Sequence, residues 1–165
     1  MKKLDEIQFS RRGIRWALNL FPPLFFNRIS IMYISDDFKE LKVRIRHSWM
    51  NKNFNRTIFG GSIFSAVDPY FPTMYWHIFS RLKLPMEVWL KSAYINYKRP
   101  AKTDLLLHFQ LKEEDITKAK EGLKNQGKYE CCHQVKAIDK YGTICAEARV
   151  LVFLRNYKKL NINGF

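Results

Sequence analysis

Residues 59–71 read FGGSIFSAVDPYF, and the apolar run they open continues through Leu82. Ile63, Phe64, Val67, Phe71, Met74, Tyr75, Ile78 and Phe79 recur mostly at three- and four-residue intervals. That is the period of a helix, and so few polar residues interrupt it that the helix must be mostly buried. Gly60 and Gly61 open it. Pro69 lies inside it, offers no N–H to the Ser65 carbonyl, and predicts a kink beside Asp68. A helix this apolar needs a cover on nearly every side.

The flanking sequence reads as that cover. Upstream, residues 28–35 alternate, with Ile29, Ile31 and Tyr33 against Arg28, Ser30 and Met32. Residues 41–48 alternate more cleanly, with Leu41, Val43 and Ile45 opposed to Lys42, Arg44 and Arg46, and Ser35-Asp36-Asp37 turns between them, a hairpin with one wet face. Downstream, residues 87–98, 104–112, 129–138 and 143–153 read as four more strands. The charged stretch 113–124 reads as a short surface helix or a long turn, and 51–57 (NKNFNRT) as a polar loop. Strands grouped around one central helix give an α+β domain with an antiparallel sheet.

The chain has 165 residues, 47% hydrophobic and 15% aromatic, enough for one domain and incompatible with a disordered chain. Twenty-nine Lys and Arg against 15 Asp and Glu leave a formal charge of +14. That surplus favours an anionic partner without choosing between nucleic acid, an acidic membrane and a phosphorylated ligand. Three cysteines, two of them adjacent (Cys131 and Cys132), make no disulfide framework. They read as buried strand residues of a protein in a reducing, cytoplasmic compartment.

Residues 14–26, IRWALNLFPPLFF, fall short of the roughly 20 apolar residues that span a bilayer. No small-residue cleavage site follows, so a signal peptide is not expected. Ile14, Ala17, Leu18 and Phe21 share a helix face, and Pro22-Pro23 is expected to end that helix. This predicts a helical arm docked on the core. Lys2, Lys3, Arg11, Arg12 and Arg15 also suit it to peripheral contact with an anionic membrane. The expected layout is an arm over 1–27, the folded domain over 28–155 and a polar tail over 156–165.

The order of elements, together with FGGSIFSAVDPYF, resembles the hotdog fold. Within that fold it is most similar to the acyl-CoA thioesterase-like branch that includes phenylacetate-pathway thioesterases and the DUF4442 family. The resemblance covers residues 28–154. It rests on the loop asparagines Asn53 and Asn55, the Gly60-Gly61 pair, Asp68 on the helix, and Tyr97-Lys98-Arg99-Pro100 after the next strand. It implies an antiparallel sheet wrapped around a long central helix, a homodimer or tetramer, and binding or hydrolysis of an acyl thioester. Coenzyme A enters as part of the substrate, and no separate cofactor is implied. Two features depart from the phenylacetate pattern. Phe59 stands where many of those enzymes have histidine, and Pro69 directly follows the acid, as in the DUF4442 branch.

The chemistry maps onto few residues. A Gly60 or Gly61 N–H at a helix start can hold a thioester oxygen as its charge develops. Asp68 can attack the carbonyl or deprotonate water. Thr73 or Ser65 can orient either group, and Asn53 or Asn55 can meet a ligand carbonyl. Arg56, Lys98, Arg99 and Lys102 border the same loop and suit the phosphates of coenzyme A. Eight steps separate Gly60 from Asp68, about 12 Å along a straight helix. One chain therefore should not assemble the site alone, whereas antiparallel helices in a two-fold dimer would. Each assignment has a structural counterpart. Asp68-Pro69 also fits a cap on a second helical segment. Helical hydroxyls usually bond the preceding turn, loop asparagines usually bond their own backbone, and basic clusters are usually solvated.

Tyr70, Phe71 and Met74 are candidates for an apolar pocket or simply core. His47, His77, His108 and His133 have no metal-ligand spacing, so no metal is expected and they read as packed or surface histidines. Two other functions stay open. One is a non-catalytic acyl- or fatty-acid-binding protein. The other is a nucleic-acid binder that stacks bases on Trp49, Phe54, Tyr94 and Tyr97. The chain carries no RNA-binding strand motif, so nucleic acid is not the expected partner.

Overall fold

The computed structural model describes residues 9–84 and 86–156. Six antiparallel strands form one sheet: β1 (Ile29–Ile34), β2 (Glu40–Ile45), β3 (Glu87–Tyr97), β4 (Leu105–Gln110), β5 (Lys128–Asp139) and β6 (Ile144–Arg155). Their spatial order is β1-β2-β4-β5-β6-β3. The inward faces follow the sequence alternation. Leu41, Val43 and Ile45 on β2 and Leu105, Leu107 and Phe109 on β4 are buried, and they pair across the ladder as Leu41 with Phe109 and Val43 with Leu107.

The central helix is two helices. α3 (Gly60–Ser65) and α4 (Tyr70–Arg81) are separated by a break at residues 66–69. The proline effect is stronger than a kink, because Pro69 removes the N–H that would have continued α3. Asp68 does not cap α4. Pro69 holds the cap position, and no side chain accepts an N–H there as a cap. α4 is mostly buried, through Tyr70, Phe71, Met74, Tyr75, His77, Ile78 and Phe79.

Residues 113–125 form a helix (Glu113–Asn125, the fifth along the chain), settling the helix-or-turn alternative. It covers β5 with Ile116, Ala119 and Leu123.

The arm is α1 (Arg11–Leu20) followed by α2 (Pro22–Phe26). Ser10 Oγ accepts the Gly13 N–H at 3.0 Å and starts α1. Pro22 and Pro23 do end α1, but they also open α2, because proline's fixed φ suits a first helical turn. Ile14 and Leu24 anchor the arm in the core. The Asn19 side chain accepts the Ile31 N–H at 2.7 Å, so α1 covers part of the free edge of β1. The opposite edge, along the 11-residue β3, pairs among the described residues only with β6.

Cys145 is buried and Cys131 half-buried, but Cys132 is exposed, because neighbouring strand residues face opposite ways. All three are free thiols. No described helix is long and apolar enough to cross a membrane. Lys2, Lys3 and residues 157–165 of the expected tail lie outside the described residues.

Candidate functional site

Gly60 and Gly61 occupy the first two positions of α3, where an N–H has no acceptor within the helix. Phe59 precedes them and supplies no side-chain cap. Neither glycine is replaceable without movement. A Cβ on Gly60 would sit 3.2 Å from the Tyr97 ring, and one on Gly61 would fall 2.2 Å from the Phe59 ring. Phe59 therefore folds its ring back against the glycine pair. Tyr97 Oη donates to the Gly60 carbonyl at 2.9 Å, tying the end of β3 to the start of α3.

Beside Gly60 lies a hollow of about 550 Å³. Of the predicted residues, Asn53, Asn55, Gly60, Lys98, Arg99 and Lys102 line it together. Gly61 and Arg56 are neighbours of lining residues without lining it. The basic residues differ in availability. Lys98 forms an ion pair with Glu147 at 2.6 Å, which holds the Glu147 carboxyl below the usual range. Arg99, Lys102 and Arg56 form no ion pair among the described residues, and Arg56 adopts φ 59° on the exposed loop.

Asn53 and Asn55 separate. Asn53 Nδ2 donates to Thr57 Oγ1 at 2.8 Å, and its Oδ1 accepts the Thr57 N–H at 3.1 Å, so this side chain closes its own loop. Asn55 is exposed at the hollow.

Asp68 sits in the break between α3 and α4, off the helix where the sequence placed it, and Thr73 sits in the first turn of α4; neither lines that hollow. Thr73 Oγ donates to the Pro69 carbonyl at 2.7 Å, and Ser65 Oγ to Gly61 at 2.9 Å, both back-bonds to the preceding turn. Thr73 also lines an apolar slot of about 340 Å³ under α1, with Ile14, Leu18, Pro72 and Trp76. Solvent reaches Asp68, yet the surrounding protein withdraws enough water to raise its carboxyl pKa above that of an ordinary aspartate. No described residue gives it a hydrogen bond or ion pair. Tyr70, Phe71 and Met74 are fully buried core side chains.

Sequence reasoning missed what holds the glycine pair in place. Buried Asn51 donates to the carbonyls of Arg46 (2.9 Å) and Asn27 (3.0 Å) and accepts the Ser48 N–H at 3.0 Å. Buried Ser62 on α3 donates to Asn27 Oδ1 at 2.6 Å. The Phe59 N–H donates to the Asn51 carbonyl at 2.8 Å. The available signal was Ser48-x-x-Asn51, a capping pattern that closes a 3₁₀ turn over Trp49–Asn51.

Among the described residues no grouping of His, Cys, Asp and Glu is able to hold a metal ion. His77 and His133 are buried. His47 bonds the Arg56 carbonyl at 3.0 Å, and His108 lies 2.8 Å from Glu40 at the surface.

Solved structures share this architecture. A Pseudomonas aeruginosa protein of unknown function, described as a probable thioesterase, superposes with TM-score 0.80 at 17% identity, over 91% of this chain and 98% of that one. The Escherichia coli PaaI protein of the phenylacetic acid degradation operon gives 0.59 at 15% identity, over 86% and 89%. A Haemophilus influenzae thioesterase gives 0.66 at 10% identity, over 92% and 94%. No curated relative matches the chain. The architecture is the hotdog fold, and the sequence matches the domain of unknown function DUF4442 over residues 11–154, so the chain belongs to that family.

Proposed function

We propose that this protein is an acyl-CoA thioesterase that works as a homodimer, with its site at the subunit contact. The observation that carries the reading is the pair of capless N–H groups at Gly60 and Gly61 beside a hollow bordered by Arg99 and Lys102. A thioester oxygen accepts those N–H groups as charge develops on it, while the phosphates of coenzyme A meet the basic rim. α3 has only six residues, so the two donors matter here rather than a long helix dipole.

Asp68 supplies the attacking carboxylate or activates water. It is reachable and unpaired, and its raised pKa makes it a better base than an ordinary aspartate. Asp68 stands apart from the Gly60 hollow in its own chain, which supports a site built from two subunits. The open edge of β3 supports the same assembly. A long, exposed, partly aromatic edge strand calls for a partner, and a second β3 laid antiparallel satisfies both chains. Homologues named as thioesterases add support at the level of fold.

The test is hydrolysis of a panel of acyl-CoA esters of graded chain length. Turnover is expected, and Asp68→Asn should lower it by about 10²–10⁴-fold. Turnover unaffected by Asp68→Asn removes this residue from the mechanism.

A second reading is a non-catalytic acyl-binding protein. The Phe59 ring against Gly61 favours it, since an apolar ring stands beside the glycine pair where the phenylacetate-type pattern has histidine. Purified protein that retains an acyl ligand and hydrolyses none of the panel would select this reading.

A further inference from the structure

We propose that the outward face of the α1–α2 arm docks on the surface of an anionic lipid bilayer. The inward face of the arm is occupied by the core through Ile14 and Leu24, and Asn19 pins α1 to β1. The arm is therefore seated on the core, and its other face is left outside. That outside face is apolar and aromatic. Trp16 is 66% exposed, Leu20 58%, Phe21 50% and Phe26 59%, and Phe25 packs edge-on against Phe26. Trp16 and Leu20 lie one turn apart on α1, Phe21 joins the two helices, and Phe25 and Phe26 lie on α2.

Charge selects the occupant. Arg12 and Arg15 flank Trp16, share a hollow with it, and form no ion pair among the described residues. Residues 7–35 contain no Asp or Glu. Arg11 pairs with Asp36, at the edge of this acid-free zone. An apolar, aromatic face with a uniformly positive border matches an anionic interface. A bilayer bearing anionic headgroups provides one, because tryptophan and phenylalanine enter the interface while arginines meet the phosphates. A net charge of +14 adds long-range attraction of the same sign.

The test is co-sedimentation of the full chain with vesicles of phosphatidylcholine alone and of phosphatidylcholine mixed with phosphatidylglycerol. Binding is expected only to the mixed vesicles and should weaken as salt is raised. Arg12→Ala/Arg15→Ala should reduce partitioning by about thirtyfold, from about fivefold per basic residue at an anionic surface. Trp16→Ser/Phe26→Ser should abolish it. Sedimentation velocity of the variants guards against the rival occupant, a second copy of this chain. No binding to mixed vesicles, unchanged binding by the arginine variant, or loss of an oligomer in Trp16→Ser/Phe26→Ser overturns the proposal. Should the aromatic variant misfold, the arginine variant, altered only at solvated positions, decides alone. The readout does not depend on hydrolysis.

Discussion

Asp68, in the break before α4, and His77, on α4, are both disfavoured as ions, with different consequences. Asp68 is desolvated without compensating bonds, so its carboxyl titrates above the unfolded value. Such a group weakens the fold once ionised, and Asp68→Asn should therefore leave the melting temperature at pH 7 unchanged or raised while removing turnover. Thermal unfolding of the two proteins in parallel checks this. His77 is buried with both ring nitrogens unbonded, stacked 3.5 Å from the Phe38 ring. Its pKa is pushed down to about 4 by burial, with the Arg81 charge adding to it. Because the folded pKa is lowered, the unfolded chain takes up the proton first as pH falls below about 6.5. Stability is then lost progressively until the folded state also protonates near 4. Between pH 7 and pH 4.5 this amounts to about 2 kcal/mol. His77→Leu should flatten that part of the stability profile, read from urea unfolding at the two pH values. An unchanged profile would place the acid sensitivity elsewhere, with His133 the next group whose pKa is lowered by burial.

At the scale of elements, the sequence announced the strands and the helix through periodicity, which local spacing carries. β2 and β4 follow their alternation residue by residue, because one face of each is buried in the core. Asn53 shows the limit. Its pairing with Thr57 and the exposure of Asn55 depend on loop geometry that spacing does not encode. Likewise, α2 begins where the double proline signalled an end, since proline both stops one helix and starts another. The network of Asn51, Ser62 and Asn27 spans 35 residues of chain, and no local pattern states such a pairing. The edge strand β3 is legible in both ways, as a strand-like run in sequence and, among the described residues, as an edge without a second partner strand. If two copies join along it, residues near its middle face their own equivalents. Ser92→Glu/Tyr94→Glu would oppose carboxylates across the two-fold, where like charges directly opposed destabilise pairing. Sedimentation velocity should show a monomer, with hydrolysis falling in parallel. An oligomer of unchanged mass would move the subunit contact away from this strand.

For the whole molecule, the question is whether one chain or two complete a site, and the geometry offers a test that does not rely on knowing the substrate. Gly60→Pro deletes the proposed donor at small structural cost. Position one of a helix tolerates proline, and Phe59 already has the extended backbone, φ −59° and ψ 134°, that a following proline requires. A Cβ at this position meets the end of the Tyr97 side chain, which has to give way slightly. Asp68→Asn deletes the carboxylate. Each homodimer is expected to be inactive. Co-expression of the two variants gives mixed dimers in which the outcome depends on how the site is divided. If Gly60 of one chain works with Asp68 of the other, a mixed dimer has one site with both groups intact and one with neither. Random assortment then yields about a quarter of wild-type activity. If both groups come from the same chain, every site in the mixed dimer carries one lesion and activity stays at the level of the homodimers. A Gly60→Pro homodimer that hydrolyses normally would shift the donor role to Gly61, whose N–H is the other without an acceptor at the start of α3.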